Sequence, residues 1–351
     1  MKYFVTGGAG FIGSNFIHLL LSSSDHQVVN FDKLTYAGNL ANLEDVSSAP
    51  RYRFVRGDIC DIAGVRAAME GCDVVVHFAA ESHVDRSIYE PSAAIQTNIT
   101  GTFVLLQVAR AFNIGRFVHV STDEVYGDLY PDGIAAEDAQ LQPNSPYSAS
   151  KAGSDLLVRS YFHTYKFPAI ITRASNNYGP YQFPEKFVPL MICNAMQDQP
   201  LPMYGDGQQQ RDWLHVEDHC RAILAVAERG RPGEVYNIGG GDVRLNREML
   251  SMILKLTEKP ESLIKSVTDR PGHDRRYALS SEKMEREFGW RPSHNLEDGL
   301  RETVRWYKDN AEWVRSVRAG DYMEYYDKYY SRRADTLSQI AIATSKIGAR
   351  I

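Results

Sequence analysis

The sequence predicts an α/β fold, a doubly wound parallel sheet with a smaller C-terminal lobe. Three observations predict it. Short β-branched or aromatic runs alternate with longer segments of helical spacing through the first half of the chain. A glycine-rich turn follows the first of those runs. After about residue 175 the texture changes to segments rich in Pro, Gly and aromatics, such as NNYGPYQFPEKF.

The predicted strands are KYFVT (2–6), QVVNF (27–31), YRFVRG (52–57), DVVVHF (73–78) and RFVHVS (116–121). Helical patterns lie near 11–22, 61–70 and 92–112. In the last of these Ala93, Ile95, Ile99, Phe103, Leu106 and Ala109 recur at helical rather than alternating spacing. Apolar strands separated by helices imply a parallel sheet covered on both faces. Downstream, helices are expected near 216–229, 246–257, 281–287 and 296–310, with a strand at 234–238. The expected division is 1–175 for the sheet domain, 176–333 for a lobe with segments returning to that domain, and 334–351 for a tail of no readable chemistry.

Composition bounds the function. The 351 residues are 43% hydrophobic and 24% charged, with net charge −5, so there is no global basic footprint for nucleic acid or anionic membrane. Cys60, Cys72, Cys193 and Cys220 are scattered, which argues against a disulfide framework or a zinc site and fits a reducing compartment. No apolar stretch reaches the roughly 18 residues of a membrane helix, and MKYFVTGG is too short for a signal peptide. A cytoplasmic protein without a metal is expected.

TGGAGFIGS (6–14) places Gly7, Gly10 and Gly13 between the first strand and a helix, where backbone N–H groups can approach a pyrophosphate. Asp32 ends the second strand, where a carboxylate accepts from a ribose 2′-hydroxyl and repels a 2′-phosphate; the adjacent Lys33 weakens that preference for NAD over NADP. PYSASK (146–151) sets Tyr147 and Lys151 four apart at a helix start, hence on one face. A nearby ammonium would lower the tyrosine pKa, so that Tyr147 could take a proton from a sugar hydroxyl.

STDEVYG (121–127) follows the fifth strand, at the carboxyl edge of a parallel sheet where ligands bind. Asp123 and Glu124 pose a separate problem, since oxidation needs only the one base that Tyr147 provides. Eliminating water needs one group to remove a carbon-bound proton and another to protonate the departing hydroxyl. Close carboxylates in a partly dry site split their pKa values, leaving one acid and one base. Strand neighbours face opposite sides, so both reach one ligand only if the backbone turns here.

Together these features resemble the short-chain dehydrogenase/reductase superfamily, with its Rossmann sheet, in the extended form that modifies nucleotide sugars. HFAAESHVDRS (77–87), STDEVYGD (121–128), PYSASKAGSD (146–155), SNNYGPYQFPEK (175–186), RDWLHVEDH (211–219), YNIGGG (236–241) and DRPGHDRRYA (269–278) resemble in combination the dTDP-glucose 4,6-dehydratase family. The resemblance covers roughly residues 1–333. It implies NAD that stays bound because hydride leaves sugar C4 and returns to C6. Tyr147 would take the C4 hydroxyl proton, Thr122 would bond near that hydroxyl, Glu124 would remove the C5 proton and Asp123 would protonate the leaving C6 hydroxyl. Lys151 would also hold the cofactor ribose. Further cofactor contacts would be Phe11, Ile12, Lys33, Asp58, Ile59, Ala79, Ala80, Thr97 and Asn177. Substrate contacts would be Asn176, Arg211 and Asn246 at the phosphates, Ser82 at the sugar, and Glu185, Lys186 and His273 less specifically. Relatives pair as homodimers through two helices, here near 92–112 and 148–164.

Two alternatives stay open on sequence. A UDP-sugar 4-epimerase or UDP-sugar dehydratase would share the glycines, Tyr147 and Lys151, although an epimerase has no use for the acid pair. A non-catalytic NAD-binding scaffold would need none of the set Thr122, Asp123, Glu124, Tyr147 and Lys151. No residue read from physics separates thymine from uracil.

Overall fold

The computed structural model describes residues 1–318; the expected tail and the last part of the lobe lie outside the described residues. In chain order the strands are β1 (Lys2–Thr6), β2 (Gln27–Asp32), β3 (Tyr52–Arg56), β4 (Val74–His77), β5 (Arg116–Thr122), β6 (Ala169–Ala174), β7 (Asn176–Tyr178), β8 (Leu201–Tyr204), β9 (Gln210–His215), β10 (Val235–Ile238), β11 (Val243–Leu245), β12 (Ile264–Val267) and β13 (Arg276–Tyr277). Seven form one sheet in the order β10-β6-β5-β4-β1-β2-β3. Each pairing in it is parallel.

Alternating strand residues build two cores. Tyr3, Val5, Val28, Val76 and Val118 pack on one face against Phe16, Ile17 and Leu20 of the helix Phe11–Ser23 and Ile223 and Val226 of the helix Val216–Arg229. Phe4, Val29, Val75, Phe117 and Ile171 face the other way, against Val65, Leu105, Leu106 and Val158. With both strand faces apolar, the sheet is buried on each side, as parallel sheets require. The strand order reverses at β1, whose neighbours are β2 and β4, and this opens the crevice at the carboxyl edge.

Several expectations need revision. Ala169–Ala174, not anticipated as a strand, is the fully buried β6, and β10 adds beyond it. The helical pattern near 92–112 is broken into Pro91–Ala94, a π-helical turn over Ile95–Gly101, and Thr102–Ala111. The loop expected from Asn176 begins as β7, paired parallel with β9. Helix Phe187–Met196 and strands β8, β9, β11, β12 and β13 were not anticipated; they build a third core around Leu190, Ile192, Leu250, Ile253 and Leu300.

One buried ionic clasp anchors the helix Pro146–Tyr165 to the sheet. Asp155 on that helix accepts from Arg173 Nε of β6 at 2.8 Å, and Arg173 Nη1 donates to the Tyr126 hydroxyl at 2.8 Å. Both charged groups are nine-tenths or more buried, so either one left alone would be costly.

Candidate active site

The glycine loop turns where its geometry demands glycine. Gly7 has φ +69°, and a Cβ there would meet Ala79 N at 2.6 Å; one on Gly13 would meet Gly7 O at 2.3 Å. A Cβ on Gly10 would meet only Gly7 O, at 3.3 Å, so that position faces open space. Asp32, at the end of β2, accepts from Ala9 N at 2.9 Å and Leu34 N at 2.8 Å. Lys33 Nζ lies 2.7 Å from Asp58 Oδ2. The lysine that weakened the NAD preference is thus paired with a carboxylate.

These groups line one cavity along the carboxyl edge. It brings together Gly7, Gly10, Phe11, Ile12, Gly13, Asp32, Lys33, Asp58 and Ile59 with Ala79, Ala80 and Thr97. Ser82, Thr122, Asp123, Tyr147, Lys151 and Asn177 lie in the same wall. A second cavity holds Arg211, Asn246 and His273 beside Trp213, Tyr204 and Arg270. Glu124, Asn176, Glu185 and Lys186 line both. Every position singled out in the sequence therefore falls on one of two adjoining cavities.

At Thr122 the extended backbone of β5 gives way to a 3-10 turn over Asp123–Tyr126. The Thr122 hydroxyl accepts from Glu124 N at 3.3 Å and donates to Asp123 Oδ1 at 3.1 Å. This is the turn that lets two neighbouring acids face one space. Burial, then Glu124 and Asp212, pushes the Asp123 carboxyl well above the usual range. Glu124 is also raised by burial, but Arg270, Lys186 and Arg211 oppose that rise. The environments differ in the sense that makes Asp123 the proton holder and Glu124 the more readily ionised group.

Tyr147 corrects an expectation. Burial and the charges of Glu124 and Asp123 raise its pKa, whereas Lys151 was expected to lower it. The reason is geometric: Lys151 Nζ donates to Val120 O at 2.8 Å, and burial lowers the ammonium to about 8. The helix start is held by Ser87, whose Oγ accepts from Tyr147 N at 3.1 Å, and by Asn98, which donates to Ser150 Oγ at 2.8 Å and to Glu81 O at 3.0 Å.

Asn177 is tied by its neighbours. Its Nδ2 donates to Ser175 O at 2.9 Å, and its Oδ1 lies 2.8 Å from His219 Nδ1. Lys186 Nζ donates to Ser82 O at 2.5 Å. Arg211 donates to the carbonyls of Gln210 and Asp274 at 2.8 Å and stacks on Tyr277. His273 Nδ1 sits 2.6 Å from Asp269.

Several groups lining the cavities, or acting on them from behind, escaped the sequence reading. Arg270 is a half-buried cation 3.8 Å from Asp85. His219 and Glu81 line the first cavity. Asp212, raised by burial to about 6, accepts from Gly240 N at 3.1 Å and Asp242 N at 3.2 Å. Arg270 and Asp212 each lay inside a quoted motif, DRPGHDRRYA and RDWLHVEDH, and a buried charge in such a segment was the available signal.

Seven buried polar atoms on residues lining the two cavities have no hydrogen-bond partner among the described residues: Ser121 Oγ, Asp123 Oδ2, Asn176 Oδ1, Gln182 Oε1, Trp213 Nε1, His219 Nε2 and Arg270 Nε. Buried polar groups are rarely left unpaired, so this convergence marks a polar ligand site. With the glycine cradle open at Gly10 and the Asp32 carboxylate at the end of β2, the first cavity fits NAD.

The fold and site define a nucleotide-sugar-modifying protein of the extended short-chain dehydrogenase/reductase class. The family model described as GDP-mannose 4,6 dehydratase matches residues 4–303. The dTDP-glucose 4,6-dehydratase of Salmonella typhimurium is 49% identical, over 95% of this chain and 100% of its own. DesIV of Streptomyces venezuelae, a dTDP-glucose 4,6-dehydratase solved with NAD and dTDP bound, superposes with TM-score 0.89 at 50% identity, over 90% of this chain and 100% of that one. A UDP-glucose 4-epimerase of Thermus thermophilus, solved with NAD, reaches TM-score 0.82 at 30% identity, over 88% and 100% of the two chains. The chain belongs to the dTDP-glucose 4,6-dehydratase family.

Proposed function

We propose that this chain removes water from dTDP-glucose to give the 4-keto-6-deoxy sugar nucleotide, with NAD as a bound and regenerated cofactor. The observation that carries the reading is the acid pair of buried Asp123 and half-buried Glu124, turned into the cavity that also holds Tyr147. Bound NAD supplies the acceptor for hydride from C4 and its donor to C6.

The chain's own groups handle the protons. Tyr147 would take the C4 hydroxyl proton, with the Thr122 hydroxyl beside it; its raised pKa lets it do so only when the positive charge of bound NAD offsets Glu124 and Asp123. A C4 ketone acidifies the C5 proton, which Glu124 removes, helped by the cations that favour its ionised form. Asp123 holds a proton for the leaving C6 hydroxyl, so the oxygen departs as water rather than hydroxide. Arg211, Arg270, Lys186, Asn176 and Asn246 offer cations and amides to the diphosphate, and Arg suits it through its forked donors. Asp32 would accept from the adenosine ribose of NAD. Residues 1–175 would bind NAD and carry the catalytic groups, while 176–333 would mainly bind the nucleotide sugar.

The chain pairs with a second copy in this reading. Ile95, Phe103, Leu156 and Tyr165, on the two adjacent helices of the expected pairing, are 45%, 41%, 57% and 51% exposed, an apolar set that a partner would cover. A cytoplasmic setting is supported by four free thiols, and no helix among the described residues is long and apolar enough to cross a membrane.

The test uses purified protein in D2O with dTDP-glucose and, separately, UDP-glucose, without added NAD. The expected product has lost water and gained one solvent deuterium at C5, with dTDP-glucose preferred. Inversion at C4 without solvent deuterium would overturn the dehydratase reading.

A further inference from the structure

Outside the two cavities, three groups far apart in the chain converge. His215 ends β9, His294 lies in the turn before the helix Leu296–Asp309, and Glu302 stands on that helix. One ligand-type atom from each lies within 4.8 Å of the other two. The imidazoles of His215 and His294 lie with centroids 4.0 Å apart, tilted by 31°. His215 is 3% exposed, yet neither ring nitrogen has a hydrogen-bond partner among the described residues. A buried polar atom left unpaired costs about 1–3 kcal/mol, so a histidine placed here only for packing is a poor choice.

His294 is oriented with care. Its Nδ1 lies 2.8 Å from Asp218 Oδ2, and Asp218 is itself held by Ser293 N at 2.9 Å, Ser293 Oγ at 2.9 Å and His294 N at 3.0 Å. With the Nδ1 proton given to that carboxylate, Nε2 carries the lone pair. Glu302 Oε2 and Glu217 Oε2 each lie 3.7 Å from Nε2. A carboxylate that sets the tautomer of a histidine and frees its other nitrogen is the outer layer of many metal sites.

We propose that His215, His294 and Glu302 bind one divalent transition-metal ion of the zinc type, with Glu217, near His294 but outside the mutual cluster, or water completing the shell. Two imidazoles and carboxylates favour zinc, cobalt or nickel over magnesium or calcium, which prefer all-oxygen sets. Zinc bonds of about 2.0–2.1 Å put tetrahedral donors roughly 3.3 Å apart, so His294 and the glutamates, at 3.7 Å, need small movements, while His215 must turn its ring about its side-chain torsions to close a separation of up to 4.8 Å. The ion would bridge the end of β9, the start of the helix Val216–Arg229 and the helix Leu296–Asp309. Its role is structural, tying the lobe to the strand that pairs with β7.

The test uses the untagged full chain, stripped with chelator and dialysed against micromolar Zn2+ or Co2+. Elemental analysis should find about one ion per chain, Co2+ should show tetrahedral d–d absorption, and Zn2+ should raise the thermal midpoint. His294→Ala and Glu302→Gln should each weaken binding about tenfold or more; Glu302 has a 59% exposed side chain, so its variant folds. The proposal falls if the unaltered chain takes up no more metal than His294→Ala, or if both variants keep its affinity. Loss in only one variant overturns this donor set.

Discussion

Asp123 and Glu124 are adjacent in the chain, yet their surroundings assign them opposite work. Burial raises both pKa values, but at Asp123 two other carboxylates add to the rise against the charge of Arg211 alone, whereas at Glu124 three cations oppose it against the charge of Asp274 alone. In the proposed role of general acid Asp123 must be protonated, so elimination would slow as pH rises through its raised pKa. As base Glu124 must be ionised, so elimination slows as pH falls through its own pKa, and the profile is a bell. Asp212, ionised above about 6, helps hold the Asp123 proton. Asp212→Asn should therefore move the alkaline limb to lower pH, read from the pH profile of kcat. An unmoved limb would remove Asp212 from the proton balance. Glu124→Gln should lower kcat by about 10²–10⁴-fold with KM within a few-fold; equal loss of substrate affinity would make its role structural.

The glycine loop separates two uses of one residue type. At Gly13 an added methyl collides with Gly7 O and Gly8 Cα at 2.3 and 2.7 Å, whereas at Gly10 it meets only an oxygen at 3.3 Å. Gly13→Ala should thus lower the thermal midpoint of the chain stripped of NAD. Gly10→Ala should leave that midpoint nearly unchanged but weaken NAD binding, measured by calorimetry. Similar midpoints for the two variants would contradict this division. The helix Pro146–Tyr165 shows the limit of local pattern: four-residue spacing put Tyr147 and Lys151 on one face, but the carbonyl of Val120 on β5 decides where the ammonium goes.

At the scale of the whole molecule, the exposed apolar set Ile95, Phe103, Leu156 and Tyr165 would form the face of the proposed pairing. Leu156→Arg places a charge there and should convert a dimer to a monomer in light scattering, with far-UV circular dichroism retained. A dimer unaffected by the change would move the interface elsewhere.

The sheet domain was legible because its signals are local. Strand–helix alternation, Gly7, Gly10, Gly13 and the acid closing β2 all follow from backbone geometry within a few residues. The resemblance carried by short motifs then reached Arg211, Asn246 and His273, which no spacing rule connects to the glycine loop. β6 was missed although PAIITRA is apolar, because a short buried run reads equally as strand or helix. Arg270, Asp212 and His219 looked like ordinary loop or helix polar residues; only the nearness of half-buried Arg270 and buried Asp212 to the acids, and of buried His219 to Asn177, gives them weight. The sequence by itself determined the fold class, the cofactor cradle and the acid pair, since each is written in contiguous residues. Tertiary structure alone decided which acid keeps its proton, where the Lys151 ammonium points and that His215, His294 and Glu302 meet. Electrostatics and ligation depend on distances through space, and chain separation does not encode them.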